Sequence, residues 1–271
     1  MLAAATVHFP YMTAWPDRAP AKDREATMSG FARLGRAFID GGIDTVIAFT
    51  SEHIVNLQPR LAAPFLIGVG ESHKAFPEPH FNLEPVTRRG DPELAYHLVN
   101  GLYDCGFDPA HSSELLFDHG TVLPLALMKL PANVAIIPII INSIFQPLPP
   151  LERCRAFGHA VKQVLAKSSF GRKIGFLATG GISHTVGAPD HELNDPSFDK
   201  RFVGAIARGD VDGICRISDK EIDTVGNGTH EIRNWVAVAG AMHPRRPTVV
   251  TELPYVTGWN SGVHQLLWEA A

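Results

Sequence analysis

Apolar runs and helix-spaced segments alternate along the whole chain. Runs at 2–7, 44–49, 65–70, 134–141, 173–179 and 248–253 read as strands, most of them apolar enough to be buried on both faces. Between them, apolar residues recur three and four apart. Met28, Phe31, Leu34 and Phe38 predict a helix over 23–39, closed by Gly41-Gly42. Asp91-Pro92-Glu93 opens a second helix with a cap, a first-turn proline and an acid. Further helices are predicted over 151–167 and 198–207, and a last one is capped by Thr229 with Trp235, Val238 and Ala241 behind it. The 248–253 run is read as the final strand. No internal repeat, low-complexity tract or linker interrupts the alternation. The pattern predicts one α/β domain over 1–271, a mixed, mostly parallel central sheet with helices on both faces.

The polar residues that matter sit where strands stop. His8-Phe9-Pro10 ends the first strand, and Thr50-Ser51-Glu52-His53 follows the second. Two strands joined by one helix run parallel, so their carboxyl ends share one edge of the sheet. His8 and His53 are therefore expected to be neighbours. The run over 173–179 stops at Gly180-Gly181-Ile182-Ser183-His184, a turn too tight for side chains that delivers His184 to a strand end. Asp118-His119-Gly120 is a comparable polar junction, and Glu231 lies in the first turn of the last helix. Each has an ordinary explanation by itself: a turn, a strand end, or an acid favoured by the helix dipole. The other nine histidines are assigned to loops, surface or packing, with His191 and His230 the first exceptions to consider. The polar stretch 185–196 reads as a loop over the site.

Composition narrows the options. The 271 residues are 45% hydrophobic and 19% charged, with a net charge of −4. That gives ample core and no electrostatic case for nucleic acid or an anionic membrane. Three scattered cysteines, Cys105, Cys154 and Cys215, suggest a reducing compartment and no zinc knot. No basic region precedes the N-terminal apolar run, and the longest apolar run contains Pro138 and is too short to span a bilayer. A cytoplasmic location is expected. Thirteen histidines exceed ordinary need, and histidine is the commonest metal ligand.

His8, His53, His119, His184 and Glu231 thus form one candidate constellation. Two histidines and a carboxylate on one face of a metal, with the remaining positions open, suit a non-haem Fe(II) oxygenase. Zinc hydrolases use the same ligand types, so the metal stays open on this basis. No nucleophile elbow and no Walker motif occur. Gly226-Asn227-Gly228 lacks the rest of a dinucleotide fingerprint.

The chain resembles the class III extradiol ring-cleavage dioxygenases, the family of the protocatechuate 4,5-dioxygenase catalytic subunit. The resemblance rests on His8, His53, the stretch 65–76 (FLIGVGESHKAF), Gly90-Asp91-Pro92-Glu93-Leu94-Ala95, Asp118-His119-Gly120, Thr179-Gly180-Gly181-Ile182-Ser183-His184 and Glu231 ahead of Trp235. It implies a non-haem Fe(II) enzyme that opens a catecholic aromatic, protocatechuate- or gallate-like, with O2 to a semialdehyde-type product. It further implies His8, His53 and Glu231 as iron ligands, His184 as acid/base and His119 as a second active-site histidine.

That family enzyme has a small separate subunit covering its site, and nothing in this chain resembles it. The expectation is either a lid made from 9–26 and 185–196 or a small partner subunit, in a homo-oligomer. No residues match those that would hold a substrate carboxylate, and Tyr11, Thr257 and Asn260 are the pocket candidates. The rival readings are a zinc-dependent C–C hydrolase on the same scaffold and a non-catalytic metal-binding relative.

Overall fold

The computed structural model describes residues 1–187 and 194–269. In chain order the strands and helices are β1 (Leu2–Thr6), α1 (Tyr11–Ala14), α2 (Ala21–Asp40), β2 (Thr45–Thr50), β3 (Phe65–Gly68), β4 (Ser72–Lys74), β5 (Thr87–Arg89), α3 (Pro92–Asp104), β6 (Ala110–Ser112) and α4 (His119–Leu127). The chain continues through β7 (Ala135–Ile141), α5 (Leu151–Ala166), β8 (Ile174–Thr179), α6 (Pro196–Arg208), α7 (Val211–Cys215), α8 (Asp219–Asp223), α9 (Ile232–Met242), β9 (Thr248–Val256) and β10 (Ser261–Trp268).

Eight strands form one sheet in the order β6-β3-β7-β2-β8-β1-β10-β9. The pairs β6/β3, β7/β2, β2/β8 and β8/β1 are parallel, and the other three are antiparallel. The expected α/β class and mixed, mostly parallel sheet are present. β1 and β2 are not direct neighbours, because β8 lies between them and pairs with both. Their carboxyl ends nevertheless share one edge, as the sequence required.

Helices cover both faces. Successive residues of β8 point to opposite sides. A Cβ on Gly175 would meet the Phe38 ring of α2 at 2.7 Å, whereas Phe176 packs against Phe49 (6.0 Å between centroids), which in turn meets Phe157 of α5. On that second face α5 and α9 approach backbone to backbone. A Cβ on Gly158 would lie 1.8 Å from the Ala237 carbonyl, so only glycine allows the approach. Asp91 caps α3 as predicted, its side chain accepting from the Leu94 amide.

Two sequence readings need correction. Strand 248–253 extends to Val256 and is not the last, since β10 follows it and inserts between β9 and β1. β10 escapes pattern reading because it is buried on both faces and carries His264 on one and Gln265 on the other, which are paired internally with Asp199 and Thr6. Thr229 does not cap α9. It lies inside a 3-10 turn, Asn227–Glu231, and its hydroxyl donates to the Val225 carbonyl.

Candidate active site

β1, β8 and β2 end side by side, and each runs into a turn bearing a histidine: His8, His184 and His53. α4 begins at the same edge with His119, and the 3-10 turn before α9 ends there with Glu231. The His8 ring lies 5.2 Å from His53 and 5.8 Å from His119, and His53 stacks on His119 at 4.0 Å. Glu231 is fixed by the residues one turn on. The Asn234 amide donates to Ser51 Oγ and the Thr179 carbonyl, both at 2.8 Å, and Trp235 Nε1 donates to the Gly180 carbonyl at 3.0 Å. Helix α9 is thereby pinned to the ends of β2 and β8.

All four imidazoles are held the same way, by Nδ1. His53 Nδ1 donates to Asp118 Oδ2 (3.0 Å), His119 Nδ1 to Glu78 Oε1 (2.8 Å) and His184 Nδ1 to the Ile182 carbonyl (3.0 Å). His8 Nδ1 faces Thr179 Oγ1 at 3.3 Å. The Thr179 hydroxyl spends its proton on Thr50 Oγ1 (3.0 Å), and the Thr50 hydroxyl spends its own on the Ser51 carbonyl (2.9 Å). Thr179 is therefore an acceptor, and His8 Nδ1 carries the proton. Nδ1–H on each ring leaves Nε2 with a bare lone pair, the tautomer a metal ligand or general base needs.

These lone pairs converge on a carboxylate. Glu231 Oε1 is 3.2 Å from His8 Nε2 and 3.3 Å from His53 Nε2, while Oε2 accepts from the Gly181 amide (2.6 Å) and lies 3.8 Å from His184 Nε2. Three electron-pair donors facing one another, with Glu231 and His8 almost wholly buried, need positive charge shared among them, from a proton or a metal ion. Donor separations of this size match ligands about 2.1 Å from a shared ion. A cluster of His8, His53 and His119 donor atoms within 4.8 Å of one another also meets the spacing for a metal. Glu231 makes the closer approach to His8 and His53, so the donor set fits a metal held by two imidazoles and a carboxylate.

The electrostatics agree. Burial opposes the Glu231 carboxylate, but the imidazoles of His8, His53 and His184 outweigh it and hold its pKa well below the usual range. Burial likewise opposes a charged His53, yet Asp118 and Glu231 raise its pKa well above the ordinary value, so a proton competes with a metal for its Nε2. His119 and His184 are pushed down, chiefly by burial, with neighbouring imidazoles adding to it.

A cavity of about 530 Å³ opens above these groups. Phe9, Tyr11, Phe81 and Trp259 form much of its wall, together with Val186. Phe9 meets His184 edge-on (5.4 Å) and Phe81 meets His119 (4.8 Å). A second cavity, of about 480 Å³, touches His53 and Glu231 from the side of Ser143 and His230.

A family model for the catalytic LigB subunit of aromatic ring-opening dioxygenases matches residues 2–263. The chain belongs to this family. It is also similar to curated 2,3-dihydroxyphenylpropionate/2,3-dihydroxicinnamic acid 1,2-dioxygenases. The one from Mycolicibacterium paratuberculosis is 27% identical, over 86% of this chain and 87% of that protein. The one from Rhodococcus rhodochrous is 26% identical, over 82% and 83%. A crystal structure of an Escherichia coli K12 protein shares the fold, with a TM-score of 0.61 at 16% identity, covering 98% of this chain and 99% of that one.

The expected family and enzyme class, an extradiol-type aromatic ring-cleaving dioxygenase, are borne out by these matches. Family and imidazole cluster together point to a metal site. No helix among the described residues is long and apolar enough to cross a membrane.

All five residues singled out from the sequence of this LigB-family chain meet at one sheet edge. Of the pocket candidates, Tyr11 and Asn260 line the cavity and Thr257 does not. His230 is tied to Asp223 and Arg233 and stays outside the imidazole cluster, although it borders the second cavity. His191 lies outside the described residues.

Sequence reading missed several functional positions. Glu78 grips His119 twice, through Nδ1 and through the backbone amide (2.6 Å). Glu52 braces the turn after β2, accepting from the Val55 and Asn56 amides (2.7 and 2.6 Å) and from Ile54. Ile54 sits there at φ 65°, a conformation a β-branched residue adopts only when held. His80, Phe81 and Trp259 also line the cavity. Pro77 and Pro79 around Glu78 marked a turn, but nothing in the sequence tied that turn to His119.

Proposed function

We propose that this ring-cleaving dioxygenase is Fe(II)-dependent, with His8, His53 and Glu231 holding the metal and His184 and His119 acting on a catechol. The observation that carries the reading is the meeting of three donor atoms, His8 Nε2, His53 Nε2 and Glu231 Oε1, within 3.3 Å contacts at a buried sheet edge. Two neutral imidazoles and one carboxylate suit a divalent ion with open positions, as ring cleavage needs. Bound iron would supply a common template for diol and O2 and a route for electrons between them.

The chain's own groups do the rest. His184 Nε2, its lone pair exposed because Nδ1 is committed to Ile182, takes the proton of a diol hydroxyl and returns it during ring opening. His119, locked by Glu78, turns its Nε2 toward the same space and hydrogen-bonds a substrate oxygen. Phe9, Phe81 and Trp259 exclude water, which strengthens each of these contacts. The product is cut beside the two hydroxyls and carries both atoms of O2. Residues 9–11 and 185–187 line the cavity, which supports a lid made largely by this chain itself.

The test is oxygen uptake by anaerobically purified, Fe(II)-reconstituted protein against a panel of catechols. Uptake matched mole for mole by a yellow ring-opened product is expected. A filled iron site with no uptake for any catechol would overturn the proposal. Zinc in the untreated protein together with oxygen-independent C–C hydrolysis would replace it.

A further inference from the structure

The cavity above the imidazoles also carries information about the substituent on the ring. Its volume, about 530 Å³, belongs to the range that encloses drug-sized ligands rather than one bare ring. Beyond the imidazoles, aromatic side chains form much of the apolar part of its walls, beside polar Glu78, Thr185, Asn260 and Ser261. Trp259 turns an apolar surface inward, because its one donor, Nε1, is directed to the Trp15 carbonyl (3.4 Å).

No lysine or arginine is among the described lining residues. Positions 188–193, Ala-Pro-Asp-His-Glu-Leu, contain none either. Arg18, on the turn that follows α1, is stacked over the exposed Trp15 ring at 4.5 Å and does not line the cavity. The wall does contain a carboxylate, Glu78. Both of its oxygens already accept from His119, so it faces an incoming anion without a countercharge of its own.

Among the buried lining atoms, those left without a partner are neutral; the exposed His80 imidazole also lines the cavity. Thr185 Oγ1 and Ser261 Oγ are buried hydroxyls with no hydrogen-bond partner. An anionic substituent here would lose its water and meet no guanidinium or ammonium. An alkyl or aryl substituent would meet Phe9, Phe81 and Trp259.

From this geometry we propose that the substrate is a catechol with a sizeable uncharged, apolar substituent, and that the cavity discriminates against a carboxylate at that place. The inference rests on the proposed ring-cleaving function and narrows it. It also separates this chain from relatives named for 2,3-dihydroxyphenylpropionate, whose substrate carries an acid.

Matched pairs test it. 3-Propylcatechol and 3-(2,3-dihydroxyphenyl)propionate differ only in a terminal methyl against a carboxylate. 4-Propylcatechol and 3-(3,4-dihydroxyphenyl)propionate form the same pair at the other ring position. Binding to the anaerobic, Fe(II)-loaded protein is measured by calorimetry, and turnover by oxygen uptake. The neutral member of at least one pair is expected to bind about tenfold tighter or better than its acid. Equal or tighter binding of both acids would overturn the inference.

Val186, half exposed in the same wall, provides the second arm. Val186→Lys is expected to close most of the gap by improving binding of the acid relative to the alkyl catechol. A gap that persists in that variant would show that the substituent sits elsewhere. If the neutral preference holds in binding while no catechol consumes oxygen, the ring-cleaving function fails and the substituent inference stands.

Discussion

Asp118 holds His53 twice, its Oδ2 accepting from the backbone amide at 2.7 Å and from the ring Nδ1 at 3.0 Å. Burial opposes the Asp118 charge, yet His53, His119 and His8 bring its pKa down to about 2. The carboxylate is thus ionised at every working pH and fixes the tautomer that leaves His53 Nε2 free. Its other oxygen caps α4 through the Gly120 amide (2.9 Å). Asp118→Asn can keep the cap on Gly120 with its one oxygen, but its buried NH2 then faces the two His53 N–H groups, so Tm should fall and metal affinity should drop about 10- to 100-fold. Metal titration and thermal unfolding of the variant check both halves. Unchanged metal affinity would remove Asp118 from the account.

Glu78 does for His119 what Asp118 does for His53, in a loop distant in sequence. Because His119 is assigned to substrate rather than to the metal, Glu78→Gln should leave iron content intact and lower kcat by about tenfold or more. Metal analysis and steady-state kinetics decide it. Loss of iron from the variant would make His119 a ligand.

Gly228 tests the placement of His184. A Cβ there would fall 2.2 Å from His184 Nε2, and one on Gly181 would fall 2.4 Å from His184 Cε1. The ring is confined between two glycines, with its reactive nitrogen against one of them. Gly228→Ala should displace that nitrogen, cutting turnover by about 100-fold while Fe(II) still binds. Turnover equal to that of the parent protein would contradict the acid/base role.

His73 provides a pH test away from the metal. It is buried against Phe117 (5.1 Å), its Nδ1 donates to the Leu115 carbonyl, and its Nε2 has no partner. Burial pushes its pKa below the ordinary value. The unfolded chain therefore takes up the proton first. The stability His73 contributes is full above about pH 6.5 and is lost as pH falls through the folded-state value. Urea unfolding at pH 7.5 and 5.5 should show His73→Gln losing less stability on acidification than the parent. Equal losses would contradict this reading.

The sheet edge was legible because strand ends are a topological property. Once β1, β2 and β8 are read as parallel, His8, His53 and His184 must emerge together, whatever their separation in sequence. Glu231 was legible from its position at the start of a helix. What could not be read were residues whose roles depend on loop-to-loop contact. Glu78 and Trp259 sit in segments without periodicity, and only folding brings them to the cavity. β10 was hidden for another reason. Its buried His264 satisfies itself with Asp199, and Asp199 Oδ1 also accepts from the Ser183 amide beside His184 (2.9 Å). A polar pair that supports the active-site loop interrupts the apolar pattern by which a core strand is recognised.

On the proposed reading, this chain uses the His8, His53 and Glu231 site to insert O2 into a catechol ring. Turnover of a catechol under 18O2, followed by mass spectrometry of the ring-opened product, tests it most directly. Both labelled atoms are expected in one product molecule, with loss of that product in Glu231→Ala along with its iron. A product labelled from water instead of O2, or full labelling by an iron-free Glu231→Ala protein, would contradict it.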